Sequence, residues 1–395
     1  MTSRRLVLSR SAALIGAASA GLLLPEIARA QSGKVRVGLM LPYTGTFAQL
    51  GVAIENGVRM AIEEKGGKLG GREIEWFKVD DEAEPSKGIE NANKLVQRDK
   101  VDVLIGTVHS GVQMGIQKVV RDNGTLCIIP NAGVHAATRS LCAPNVFRAS
   151  FTNSQPTLAL GKVMVDKGHK KAVWITWKYA AGDEAFEGFR DSYTKAGGTI
   201  VKELGLPFPQ VEFQALLTEI AALKPDAVCC FFAGGGAAKF IKDYAAAGLK
   251  GKIPLYGSGF LTEGVLDAAG PAADGIITTM HYGDSLNTPR DRKFRLDYAK
   301  MFRLQPDVYA VQGYDSGQLL VQGMAAVKGD INNKAALYKA METVTIDSPR
   351  GKWTMSPSHN PIQDMYLRVV ENKENKVIGI AAKALADSGA GCKMG

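Results

Sequence analysis

Residues 34–41 read KVRVGLML, 52–66 VAIENGVRMAIEEKG, 73–81 EIEWFKVDD, 86–99 SKGIENANKLVQRD and 101–106 VDVLIG. Short apolar, β-rich runs alternate here with segments of helical period, an order that predicts βαβ units and a parallel sheet covered by helices. The alternation continues through TLCIIP (125–130), KAVWITW (171–177), TIVKELGL (199–206), DAVCCFFAG (226–234), IPLYGSG (253–259) and GIITTMHYG (275–283). So many strands exceed one ordinary sheet, so the expected fold is α/β with two Rossmann-like lobes, each built on a parallel sheet. Polar, Pro-bearing connectors at 145–156, 283–289 and 357–363 place three crossings between the lobes. The first lobe is then expected to hold residues 31–148 with 286–356. The second holds 149–285 with 357–386, ending on the strand MYLRVVENK, and 387–395 form a tail.

The start of the chain has another character. Arg4, Arg5 and Arg10 precede an apolar stretch from Ala12 to Leu24 and the small-residue site Ala28-Arg29-Ala30, the pattern of an export signal cleaved after Ala30. The pair Arg4-Arg5 resembles a twin-arginine signal, from which Val7 and Ser9 depart; that route and general secretion both lead to the bacterial periplasm. Removing residues 1–30 takes away four arginines and one glutamate, and the formal charge of +9 falls to +6. The remaining basic residues are scattered among acids, the pattern of solvated faces and not of a nucleic-acid track.

An exported chain with five cysteines can form disulfides. Cys127 and Cys142 flank one loop and are the expected pair, with Cys392 in the Gly-rich tail as the alternative partner. Cys229 and Cys230 fall in an apolar strand pattern, where thiols pack. No Cys or His spacing matches a metal site, and none is expected.

The ordered set VGLMLPYTGTFAQLG (37–51), GGKLGGREIEWFKVDDEAEP (66–85), VDVLIGTVHSG (101–111), IIPNAG (128–133), NVFRASFTNSQ (145–155), YAAGDEAFEGF (179–189), FQALLTEIAALKPDAV (213–228) and YAVQGYDSGQLL (309–320) resembles the type I periplasmic binding proteins. The likeness is to their leucine/isoleucine/valine-binding branch. It implies a hinged, Venus-flytrap molecule that closes on a small ligand and delivers it to the permease of an ABC importer in the inner membrane. No cofactor and no catalysis are implied, and a monomer is expected.

Ligands of open α/β sheets bind beyond the carboxyl ends of the strands, which singles out particular loops. Ser110, at a helix start after VDVLIG, offers a hydroxyl and unpaired first-turn N–H groups to a carboxylate, and the resemblance places the ligand carboxylate there. His109 precedes it. The loop Asn131-Ala132-Gly133 matches a second anion-holding segment, Gly133 standing where relatives often carry a hydroxyl. Tyr179 matches an aromatic that closes over the ligand.

In amino-acid-binding relatives an acid after the strand matching IPLYG neutralises the ligand ammonium; here that position reads Gly259, with Glu263 as the only nearby substitute. An unpaired buried ammonium is costly, so the ligand is expected to lack an α-amino group. Gly234 replaces an aromatic and is expected to leave room for something flat. Phe47, Leu50, Phe260 and Tyr314 are candidate apolar walls, and His109 and His135 candidate donors. An aromatic carboxylate, benzoate- or phenylpropenoate-like, is the first ligand expectation. A branched-chain amino acid or amide is the second, and a ligand-sensing domain the third.

Enzyme readings fail on spacing. Gly66–Gly71 precedes a strand where a phosphate cradle would open a helix, Gly234–Gly236 lacks nucleotide-loop spacing, and no nucleophile elbow or metalloprotease helix is present.

Overall fold

A computed structural model describes residues 33–394. The expected export signal and its cleavage after Ala30 lie outside the described residues. Strands β1 (Val35–Leu41), β2 (Ile74–Asp80), β3 (Val103–Ile105), β4 (Leu126–Ile129) and β5 (Val146–Arg148) form a parallel sheet in the order β2-β1-β3-β4-β5. Helices Ala48–Glu63, Pro85–Asn93 and Ser110–Asn123 connect them. β1, β3 and β4 are apolar runs because both faces of the sheet are covered, and they are buried almost throughout.

The second sheet carries β6 (Lys171–Lys178), β7 (Thr199–Pro207), β8 (Ala227–Phe231), β9 (Leu255–Ser258) and β10 (Ile277–Met280), parallel in the order β7-β6-β8-β9-β10. Four strands then follow, β11 (Thr345–Ile346), β12 (Trp353–Met355), β13 (Pro361–Glu371) and β14 (Glu374–Leu385). β13 runs antiparallel to β10, pairs with β12 at its start and with β14 along its other edge. β5, β11, β12 and β14 are absent from the sequence reading. The β13–β14 hairpin turns at Asn372 and Lys373, whose φ values of 52° and 61° fit a two-residue type I′ turn.

Helices Pro289–Phe302 and Val308–Ala326 return to the first lobe and pack on Ala48–Glu63. Glycines make that contact a backbone one: a Cβ on Gly57 would sit 2.1 Å from the Ala310 carbonyl oxygen, and one on Gly313 2.0 Å from that of Ile54. The expected lobe border at 356 falls within the hydrogen-bonded run β11-β12-β13, so residues 345–355 join the second sheet's path.

The expected Cys127–Cys142 bridge is corrected. Cys127 is a free, buried thiol within β4, and Cys142 bonds Cys392 across a sequence separation of 250, with Cα atoms 5.5 Å apart. The tail is brought there by Asp387, whose carboxylate pairs with Arg139 at 2.7 Å. Cys392→Ser should cost about 2–4 kcal/mol of stability. Urea unfolding of oxidised wild type and variant measures this, and coincident curves would refute it.

Candidate functional site

Between the two sheets lies a small, partly open cavity. Its walls come from the loops beyond the carboxyl ends of β1, β3, β4, β5, β6, β8 and β9, together with the start of the helix Val308–Ala326. After β1, Asp80 accepts hydrogen bonds from the Tyr43 N–H (2.9 Å) and the Thr44 hydroxyl (2.8 Å). Those bonds fix the loop that delivers Phe47 and Leu50 to the wall.

Ser110, Asn131, Gly133 and Asn153 form one polar end. Ser110 is the first residue of its helix and not the N-cap, which is His109. The first-turn N–H groups of Ser110–Asn123 therefore lack helical acceptors and face the anion-favouring end of the dipole. Arg148 is fully buried and grips the β4 loop, donating to the Ala132 carbonyl (3.0 Å) and the Val134 carbonyl (2.6 Å). Asn131 donates to Gln312 at 2.7 Å, tying that loop to the helix Val308–Ala326.

Most of the rest of the wall is aromatic: Phe47, Phe151, Tyr179, Phe231, Phe260 and Tyr309. Among the described residues the lining contains no carboxylate, lysine, arginine or histidine. The Tyr309 hydroxyl is buried without a hydrogen-bond partner among the described residues.

The lobes are closed over this space. Phe47 of the first lobe meets Phe208 (5.2 Å between centroids) and Trp177 (6.2 Å, edge-on) of the second, and His109 stacks on Tyr179 at 4.7 Å. The Gly236 N–H donates to Thr46 Oγ1 at 3.2 Å, and Glu184 accepts from the His135 N–H at 2.9 Å. Burial pushes the His109 imidazole down to about 4, so it stacks as a neutral ring.

Seven of the sequence-predicted residues line the cavity: Phe47, Leu50, Ser110, Asn131, Gly133, Tyr179 and Phe260. Five do not. His109 stands behind the Tyr179 ring, both its ring nitrogens unpartnered. The Ala132 N–H donates to the Thr107 carbonyl (2.9 Å) and its carbonyl serves Arg148, so its backbone is spent inside the protein. The space above Gly234 is filled by Thr46, whose carbonyl oxygen would stand 2.2 Å from an added Cβ, so this glycine admits the other lobe and leaves no room for ligand. A Cβ added at Gly259 would lie 2.5 Å from Arg368 Nη2 and from Met280 Cβ, neither of them a wall residue, so the missing side chain points away from the cavity. Tyr314 hydrogen-bonds Glu64 and Arg290 on the far side of its helix.

Tyr309, Phe151, Asn153, Phe231, Val108, Ala181 and Ala233 complete the wall. Tyr309 and Tyr314 are five residues apart, about 140° around a helix, so only one of them can face the cavity. Gly133 also reads differently: a Cβ there would lie 2.3 Å from Asn153 Oδ1, so the relatives' hydroxyl is displaced by Asn153. His135 donates through its backbone to Glu184 and shares a 2.8 Å hydrogen bond between its ring and Ser154.

Two α/β lobes clasping a cavity at their strand ends define a periplasmic binding protein, and the chain belongs to that family, whose model matches residues 34–375. The periplasmic location is the one that this family implies. The chain is similar to a Rhodopseudomonas palustris ABC-transporter solute-binding protein crystallised with benzoate: 52% identity over 91% of this chain and 100% of that one, TM-score 0.89. A solute-binding protein from Rhodopseudomonas palustris BisB5 in complex with 3,4-dihydroxybenzoic acid is 29% identical, covering 90% and 99%, TM-score 0.85. Among curated relatives, Leu/Ile/Val-binding protein homolog 2 of Brucella abortus is 30% identical over 80% of this chain and 83% of that protein.

Proposed function

We propose that the protein captures a small aromatic carboxylate, benzoate or a hydroxybenzoate, and presents it in the closed form to an inner-membrane permease. The observation that carries this reading is the wall itself: six aromatic rings and no acid or base, with a helix start and the Ser110 hydroxyl at one end. An aromatic ring would stack among Phe151, Phe231 and Phe260. Its carboxylate would lie on Ser110 and the first-turn N–H groups beside Asn131. The otherwise unpartnered Tyr309 hydroxyl supplies a further donor. The benzoate and dihydroxybenzoate complexes of the two similar proteins support the same ligand class.

A branched-chain amino acid, suggested by the names of the curated relatives, requires an acid for its ammonium. Glu263 was the substitute open to that reading, and both its oxygens are engaged, one by Arg368 and the other by the Val308 N–H at 3.1 Å. Closure about the three crossings makes ligand contacts from both lobes available only together, which is how a ligand shifts the open–closed population. The lobes divide near residues 148 and 285 and just before β11; the exported chain starts at Gln31 and works as a monomer.

Thermal unfolding with a ligand panel tests the reading. At about 100 times Kd, benzoate or 4-hydroxybenzoate should raise the midpoint by about 5 °C. Leucine and isoleucine should leave it unchanged. Stabilisation by leucine without stabilisation by benzoate would sink the aromatic assignment.

A further inference from the structure

The hydrogen bonds around Ser110 run on to an acid of the opposite lobe. Asn153 Nδ2 has two hydrogens, and it donates one to Ser110 Oγ at 3.1 Å and the other to Glu184 Oε2 at 2.8 Å. Glu184 lies on the helix Ala180–Lys195 that follows β6, and its two oxygens also accept from the His135 N–H at 3.0 and 2.9 Å. The Ser110 hydroxyl has no hydrogen bond besides the one from Asn153 among the described residues; the residue is 2% exposed and lines the cavity. Having accepted from Asn153, its hydroxyl is left with a hydrogen to give.

We propose that Glu184 is a positioning residue for the carboxylate end of the cavity: on closure it holds the Asn153 amide with its NH2 toward Ser110, which turns the Ser110 O–H into the cavity as a donor. The inference rests on the carboxylate reading above. Turned over, the Asn153 amide would set its Oδ1 against the Glu184 carboxylate and would also accept the Ser110 hydrogen, withdrawing it from the ligand. A carboxylate at position 184 forbids that arrangement because it can only accept. Burial pushes the Glu184 carboxyl up to about 7, while the Asn153 and His135 donors and the charges of Arg148 and Arg139 draw it down. At about pH 8 it is the ionised acceptor. The His135 ring nearby, at 3.7 Å, is neutral, since burial and Arg139 push it down to about 3.

Glu184→Gln keeps the shape and adds a donor. The His135 N–H claims the glutamine oxygen, the new NH2 faces Asn153, and the amide turns over. The test is a double-mutant cycle on the full mature protein, read by calorimetric titration of benzoate at about pH 8. Ser110→Ala and Glu184→Gln should each weaken benzoate binding about 10-fold, and the double variant also about 10-fold, because both remove the same donor. Additive losses, about 100-fold in the double variant, or an unaltered affinity in Glu184→Gln alone, would overturn the proposal. Thermal midpoints of the ligand-free variants identify any that fail to fold, and Glu184→Ala replaces Glu184→Gln in the cycle if that one does. Absence of benzoate binding in the wild type would instead overturn the carboxylate reading, and this inference with it.

Discussion

Gly234→Ala is expected to lower affinity for the physiological ligand by about 100-fold while both lobes stay folded. Residue 234 opens the helix Gly234–Ala246 with φ +56°, and an added Cβ would lie 2.2 Å from the Thr46 carbonyl oxygen of the facing lobe. Backbone cannot step aside as a side chain can, so the lobes must part. Parting separates Phe47 from Phe208 and Trp177 and breaks the Gly236–Thr46 hydrogen bond. In the open form the methyl meets only its own left-handed backbone strain, a cost of about 1–2 kcal/mol. Gly235→Ala is the control: its Cβ would meet Thr46 Oγ1 at an ordinary 3.5 Å. Titration calorimetry on both variants decides the matter, and equal binding by Gly234→Ala would show that capture does not need this closed contact.

The second large effect is on stability. Glu263→Gln should cost about 3–5 kcal/mol in chemical unfolding, because it leaves a buried guanidinium without its counter-charge. Arg368 is completely buried, and besides Glu263 it donates to the Tyr282 carbonyl (2.8 Å), the Gly259 carbonyl (3.1 Å) and Thr278 Oγ1 (3.0 Å). Glu263 completes the set and, through the Val308 N–H, ties the second lobe to the start of the long helix of the first. Burial raises its carboxyl and Arg368 opposes that rise. A loss below about 1 kcal/mol would mean that water reaches Arg368 and that the pair behaves as a surface one.

The strands were legible wherever apolar runs were both-sides-buried, as in KVRVGLML and KAVWITW, because such burial writes an unbroken pattern. β5 was lost because its three residues end on Arg148 inside a polar connector, whereas β3, equally short, sits in the apolar run VDVLIG. β14 was lost because it is an outer strand whose side chains are largely exposed, so its sequence mixes Lys and Glu with Ile. Within the site, the strand-end rule singled out the loops and the family resemblance picked Ser110, Asn131 and Tyr179 within them, and all three line the cavity. Both failed where the decisive neighbour is remote in sequence. Gly133 was read as a missing hydroxyl, Gly259 as a missing acid and Gly234 as room for a flat ligand, yet Asn153, Arg368 and Thr46 occupy the places where their side chains would stand. Tyr314 was named and Tyr309 was not, because nothing local tells which face of a fully buried helix turns to a cavity; both rings are buried. Cys392 stood only as the alternative partner for the same reason, since the tail's path is set by Arg139 and Asp387 and not by proximity along the chain.

That disulfide has a consequence for proteolysis. It closes a covalent ring running from Cys142 to Cys392, and the whole second sheet and the helices Pro289–Phe302 and Val308–Ala326 lie inside it. A single cut anywhere in that ring, for instance in the polar connector at 284–288, converts the ring to a linear chain without releasing a fragment. A nicked molecule therefore keeps its two pieces joined at one mass under oxidising conditions, and separates into them only when a reductant is added.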